Sequence, residues 1–451
     1  MLLSLLIPVL FLALPSDSAD PLPRRGSLGV GFTPLTGKQA EEYGLARGEG
    51  LVAGTPAPGL SAEKLGLQSG DRVLRLNGEV VRSSTIQGVL RGLPAGSALS
   101  LEVVRAGQVL KLDGPLLERP RDPGTASYEV IYSHIVHEGQ RMRTIITRPR
   151  TPGKHPGFFF IQGFSPVSYD FVLSTATGDV ASLDGPLLHK FADTGFVTMR
   201  VEKPGVGDSE GGPFAELDYQ QEIGIYRSAL AQLKGQSFVD PDDVFVFGHS
   251  MGGSFGPMVV ADEPVRGIAV YGTAARTWFE YLLDTIRYQG LVAGDNFVNT
   301  DEKARKGARV MAEVMLLGRS PEEVKEAQPE LAPWVDAFFP GGLFNGKTLA
   351  FWRQLNEINF ASYWARLDTQ VLAIHGESDF VAYAVDHQLI ADIVNGRHPG
   401  QGRFVRAPQS DHLLHSFATE QESARQFQRG KYSPSVETIV AEWIAEVRSR
   451  K

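Results

Sequence analysis

The chain has 451 residues, 42% of them hydrophobic and 21% charged, with a formal net charge of −8 at pH 7. This length predicts two or three domains with ample apolar material for their cores, and an acidic balance without a long basic run argues against a nucleic-acid partner. There is no cysteine, which excludes disulfides, thiolate chemistry and cysteine-ligated metal sites.

Residues 1–19 stand apart from the rest. Leu2 to Leu14 is apolar except for Ser4 and Pro8, and no Lys or Arg precedes Arg24. These 13 residues fall short of the roughly 20 that span a bilayer. They predict a secretory signal cut near Ser18 or Ala19, with an uncleaved anchor as the alternative. The expected product is exported, periplasmic or extracellular, and keeps no integral membrane span after cleavage.

Residues 24–114 predict a small β-rich domain. Turn signals stand at Gly70-Asp71 and at Asn77-Gly78, the latter between the apolar runs Val73/Leu74/Leu76 and Val80/Val81, a hairpin pattern. Ile86, Val89, Leu90 and Leu93 recur at helical spacing. Two further strands flank Ala106-Gly107. The segments "RGSLGVGF" and "AEKLGLQSGDRVLRLNG", with the helix near Ile86 to Leu90, resemble a PDZ domain of the kind attached to periplasmic serine proteases. That resemblance implies that Leu28, Gly29 and Val30 belong to a loop whose backbone N–H groups hold the C-terminal carboxylate of a peptide partner. A spacer or lid is the alternative role. On the first reading the domain adds nothing to the chemistry and is expected to be separable from it.

Residues 115–125, charged and proline-bearing, read as a linker. From 126 to 451 strands alternate with longer helical patterns, which predicts an α/β architecture with a mostly parallel sheet. Eight strands are expected at Val130–His134, Arg143–Thr147, Gly157–Ile161, Val197–Val201, Val244–Phe247, Ile268–Val270, Val371–Ile374 and Arg403–Val405. Residues 276–366 show no strand pattern, only helical stretches rich in aromatic residues.

"VFVFGHSMGG" joins an apolar run to a glycine-framed serine, Ser250. In a chain with 49 glycines the pattern G-x-S-x-G is weak alone and gains force from its strand–turn–helix setting. Asp379 follows a later strand in "HGESD", and His412 follows the last strand in "APQSDHLLH". Ser, Asp and His in this order resemble an α/β-hydrolase, with a helical cap at 276–366. The resemblance implies that Ser250 attacks a carbonyl, His412 is its base and Asp379 orients the imidazole. Glu377 and His415 stay open as alternatives to Asp379 and His412; His415 shares a face with His412 if the segment is helical. The oxyanion donors implied are the backbone N–H groups of Met251 and, by comparison with the usual H-G-x segment, Phe164 in Gln162-Gly163-Phe164. "RVEKPGVGDSEGGP" resembles the loop after the fourth strand, with Lys203-Pro204 in place of the more usual arginine pair. It reads as structural, since Gly205-Val206-Gly207 lacks the marks of a phosphate loop.

The expected activity is hydrolysis of an ester or related acyl bond by a serine hydrolase, without cofactor or metal. An esterase stands ahead of a peptidase of the same fold, because no propeller or other gate is present. A non-catalytic binding or scaffold protein is the reading from another class.

Overall fold

The computed structural model describes residues 22–450 apart from 83–85, 171–172, 176–177 and 181–183; the expected signal segment, 1–19, lies outside the described residues. Phe158 to Ile161 is apolar at every position, a pattern suited to a strand covered on both faces. It lies in the third of eight strands of one sheet: β1 (Tyr128–His137), β2 (Gln140–Pro149), β3 (His155–Ile161), β4 (Val197–Val201), β5 (Val239–His249), β6 (Gly267–Tyr271), β7 (Gln370–Gly376) and β8 (Gly402–Ala407). Their spatial order is β8-β7-β6-β5-β3-β4-β2-β1. β2 pairs antiparallel with β1 and β4, and every other neighbouring pair is parallel. Each expected strand lies within one of the eight.

The period of two along each strand divides the core. Phe158, Phe160, Phe245, Phe247, Leu372 and Ile374 pack with the helices Gly185–Asp193 and Ser435–Ser449. Phe159, Ile161, Val246 and Val371 pack instead with Tyr219–Lys234, Met251–Val260 and Ala384–Arg397. Each buried phenylalanine contributes about 1.5–3 kcal/mol, so the central strands are the firmest ground for a site at their C-terminal ends. Between β6 and β7 the described chain is helical, from Trp278–Val292 to Phe360–Trp364. The aromatics Trp278, Phe339, Phe344, Phe351 and Trp352 are buried there as packing. No described helix is long and apolar enough to cross a membrane.

The N-terminal β-rich body is an antiparallel sheet of Phe32–Pro34, Leu51–Ala53, Arg72–Leu76, Ala98–Arg105 and Gln108–Pro115, in that order. Asn77 and Gly78 turn the hairpin to Glu79–Val80 with φ of 52° and 88°, as asparagine and glycine allow. In the helix Ile86–Arg91, Ile86 and Leu90 are buried while Val89 faces solvent, so the apolar stripe is narrower than expected.

The linker expectation for 115–125 needs correction. Pro115 ends a strand, Leu116 is fully buried, Leu116 N–H donates to Ser97 O and Ser27 N–H to Leu117 O. The segment through Arg119 is thus part of the β-rich body. Buried contacts also run against the expected separability. Arg24 donates to Asp170 and Asp208 at 2.5 Å each, and Arg119 lies 3.6 Å from Glu202 and 3.7 Å from Asp170. Arg143 of β2 sits 3.3 Å from Asp208. Three guanidinium groups thus face three carboxylates in a buried cluster, and two of the three cations come from the N-terminal segment.

Candidate active site

β5 runs through the middle of the sheet and ends at His249, so Ser250 leaves it at a sharp bend with φ 56° and ψ −126°. A non-glycine residue in this conformation is held there by its surroundings. The Ser250 N–H donates to Tyr271 O at 2.8 Å. On Gly248 a Cβ would lie 2.6 Å from the Gly252 carbonyl oxygen, and on Gly253 it would lie 2.6 Å from Thr273. Both contacts are closer than any side chain allows, so only glycine lets the helix Met251–Val260 start this tightly.

The loops after β7 and β8 bring the two other candidates to the serine. His412 Nε2 lies 2.9 Å from Ser250 Oγ, and His412 Nδ1 lies 3.0 Å from Asp379 Oδ2. Asp379 is fully buried, and its Oδ1 accepts the N–H groups of Val381 at 2.8 Å and Ala382 at 3.0 Å. Burial opposes its charge, yet His412 and the backbone donors outweigh it and hold the carboxyl below its ordinary range. Glu377, the alternative acid, is solvent-exposed. His415 does not share a helical face with His412, because the segment is a bend with Leu414 at φ 60°, and His415 pairs with Tyr432 in a short ladder. His412→Ala is therefore expected to abolish turnover and His415→Ala to retain most of it. The opposite order of kcat/KM in the two variants would move the base to His415.

The two expected oxyanion donors flank the serine. Met251 begins the helix after it. Phe164 follows Gly163, where a Cβ would come 3.0 Å from Ser250 Cβ; the approach follows from the pairing of β3 with β5 at Ile161 and Gly248. The Phe164 ring packs against Phe214, Phe351 and Trp352, with centroids 5.7, 6.0 and 5.2 Å away, so aromatic side chains from two separate segments cover this loop. A hydroxyl hydrogen-bonded to an imidazole, itself bonded to a buried carboxylate, can give up its proton while attacking a carbonyl carbon.

Residues 158–425, more than half of the chain, match the family described as Alpha/beta hydrolase family. The chain belongs to the alpha/beta hydrolase family. Among solved structures similar to this hydrolase is Est1E from Butyrivibrio proteoclasticus, at 13% identity over 71% of this chain and 99% of that one, with a TM-score of 0.44. A thermophilic esterase from Thermogutta terrifontis is 16% identical over 71% of this chain and 100% of its own, with a TM-score of 0.40. The carboxylesterase EstE1, cloned from a metagenomic library, is 13% identical over 71% and 88%, with a TM-score of 0.42. No curated protein matches the chain.

Sequence reasoning missed several residues that build the site of this hydrolase. His249 is buried; its Nδ1 lies 3.0 Å from Asp184 and its Nε2 2.7 Å from the His412 carbonyl oxygen. Both ring nitrogens face acceptors, which suits the imidazolium. Burial opposes that charge, but Asp184 outweighs it and raises the pKa. Asp411 accepts the N–H groups of Leu413 at 2.9 Å and His415 at 2.8 Å and so shapes the loop that carries His412. A Cβ on Gly272 would lie 3.0 Å from His412 Nδ1 and 3.2 Å from Asp379 Oδ2. The motif G-H-S-M-G offered His249 only as a variable position, and neither Asp184 nor Gly272 lies near it in sequence.

Proposed function

We propose that the protein is a serine hydrolase that cleaves a carboxylic ester or related acyl bond. Ser250 Oγ attacks the acyl carbon as His412 Nε2 takes its proton. The negative charge on the carbonyl oxygen is met by the N–H groups of Met251 and Phe164. His412, its charge balanced by Asp379, then protonates the leaving group, and water repeats the sequence on the acyl-serine. The observation that carries this reading is the pair of hydrogen bonds at 2.9 and 3.0 Å linking Ser250, His412 and Asp379. Labelling by a fluorophosphonate tests for an activated serine; turnover of p-nitrophenyl esters and of peptide amides, side by side, separates esterase from peptidase. A protein that takes no label and turns over neither substrate would be the scaffold instead. Export is part of the proposal on the strength of Leu2 to Leu14 alone.

The β-rich body is proposed to be a PDZ domain that binds peptide C-termini through the backbone of Leu28, Gly29 and Val30. Leu28 O accepts from Ala62 N–H at 2.8 Å and Gly29 O from Ala57 N–H at 2.7 Å. In trans peptides the N–H groups of Gly29 and Val30 then point away from these donors, the side on which a carboxylate would be held. Gly29 has φ +73°, and the edge strand Phe32–Pro34 lies just beyond. Peptides with free C-termini are expected to bind the full chain and their amidated forms to bind at least tenfold more weakly. Equal affinity for the two forms in a fluorescence-polarisation titration would leave the domain a spacer.

A further inference from the structure

We propose that Lys203 is a positioning residue that fixes the direction of the Phe164 N–H, the second oxyanion donor; this rests on the serine-hydrolase reading above. The chain leaves β4 at Val201, and Lys203 turns inward with only 2% of its surface exposed. Its ammonium donates to Gly163 O at 2.6 Å and to Phe164 O at 3.0 Å, and it ion-pairs with Glu222 of the helix Tyr219–Lys234. An ammonium has three donors; two of them go to these carbonyls and the charge is met by the Glu222 carboxylate. The two carbonyls belong to successive peptides of the loop that carries the donor.

The geometry of the trans peptide gives the consequence. Gly163 O and Phe164 N–H share one planar unit and point in opposite directions. Clamping the oxygen from the Lys203 side directs the N–H away from it, and Gly163 stands against Ser250, where a Cβ would come 3.0 Å from Ser250 Cβ and 3.5 Å from its Oγ. Without the ammonium this peptide plane loses its anchor on that side. A glycine at 163 gives the plane freedom to rotate, which makes an anchor necessary. Transition-state stabilisation by an oxyanion donor depends on its being aimed in advance, so an anchor buried behind the loop affects the rate without touching the substrate.

Satisfying Glu222 does not account for the arrangement. Lys347 of the cap also reaches Glu222, at 3.7 Å, while donating to Leu217 O at 2.7 Å and Phe214 O at 3.2 Å. Glu222 thus keeps a buried cation when Lys203 is removed, and the bonds from Lys203 to the loop are an addition to the ion pair. The compact ammonium suits two successive carbonyls and a carboxylate, where the planar fork of arginine does not. This is a reason for lysine where the related loop more often has arginine.

The test compares wild-type full-length protein with Lys203→Met in three measurements: kcat and KM on a p-nitrophenyl ester, affinity for a trifluoromethyl ketone, and thermal unfolding. The ketone adds Ser250 to form an oxyanion and so reports on the donors directly. The expected result is a fall in kcat of about 10²-fold, KM within about threefold, and ketone affinity weakened in parallel with kcat. Should Lys203→Met fail to fold, Lys203→Met/Glu222→Gln/Lys347→Met, which removes the whole buried charge group, carries the same expectation. Unchanged kcat and ketone affinity in a variant that folds would overturn the proposal, as would losses in kcat and KM that follow the unfolding midpoint while ketone affinity is kept. If the wild type takes no fluorophosphonate label at Ser250, the serine-hydrolase reading fails and this proposal with it. Normal labelling with an indifferent Lys203 sinks the proposal alone.

Discussion

Replacing Ser250 with alanine is expected to lower kcat by about 10⁴- to 10⁶-fold on every substrate the protein hydrolyses, with the fold intact. The side chain is small and sits at the mouth of a bend whose shape is set by others. Its N–H bonds to Tyr271, and Gly248, Gly252 and Gly253 make room for the turn. The hydroxyl's bond to His412 at 2.9 Å is lost, at a net cost of about 1 kcal/mol. That is small beside a domain stability of about 5–15 kcal/mol, so activity and stability separate in this variant. The measurement pairs turnover with thermal unfolding. Equal turnover by Ser250→Ala and wild type would remove the serine from the mechanism.

Deleting residues 22–120 is expected to cost the hydrolase its activity, because the deletion reaches into the body that carries the site. It removes Arg24 and Arg119 and leaves Asp170, Glu202 and Asp208, which are buried in the full chain, with Arg143 as the remaining guanidinium of the cluster. Three neighbouring carboxylates then share one cation and repel one another. Asp170 follows Phe164, the proposed second oxyanion donor, by six residues, so the damage falls near the proposed site. The milder variant Arg24→Met takes one cation from the buried cluster at a cost of about 3–5 kcal/mol, which at an unfolding entropy of about 2.1 cal/mol/K per residue is expected to lower the unfolding midpoint of this 451-residue chain by about 3–5 °C. A truncated protein that hydrolyses a small ester with wild-type kcat/KM would show that the cluster does not hold the site together.

The sequence by itself determined the strands, their order of use and the candidate triad. Continuous apolar runs such as Phe158–Ile161 and Val244–Phe247 read as buried strands because both faces of a parallel sheet are covered. The serine motif could be recognised because its glycines are required at fixed offsets by the bend. Asp379 and His412 stood out because each follows a strand closely, and a parallel sheet delivers the residues after its strands to one edge. What only the tertiary structure decided were contacts between segments far apart in the chain. Lys203 reaches Gly163 across 40 positions and Arg24 reaches Asp208 across 184. In the sequence Lys203 was a departure from an arginine pattern, Arg24 and Arg119 were charged residues beside prolines, and 115–119 looked like a linker. Local periodicity reports which face of an element is buried. It says nothing about which buried charge faces which, since that depends on where two distant loops meet once the sheet has formed.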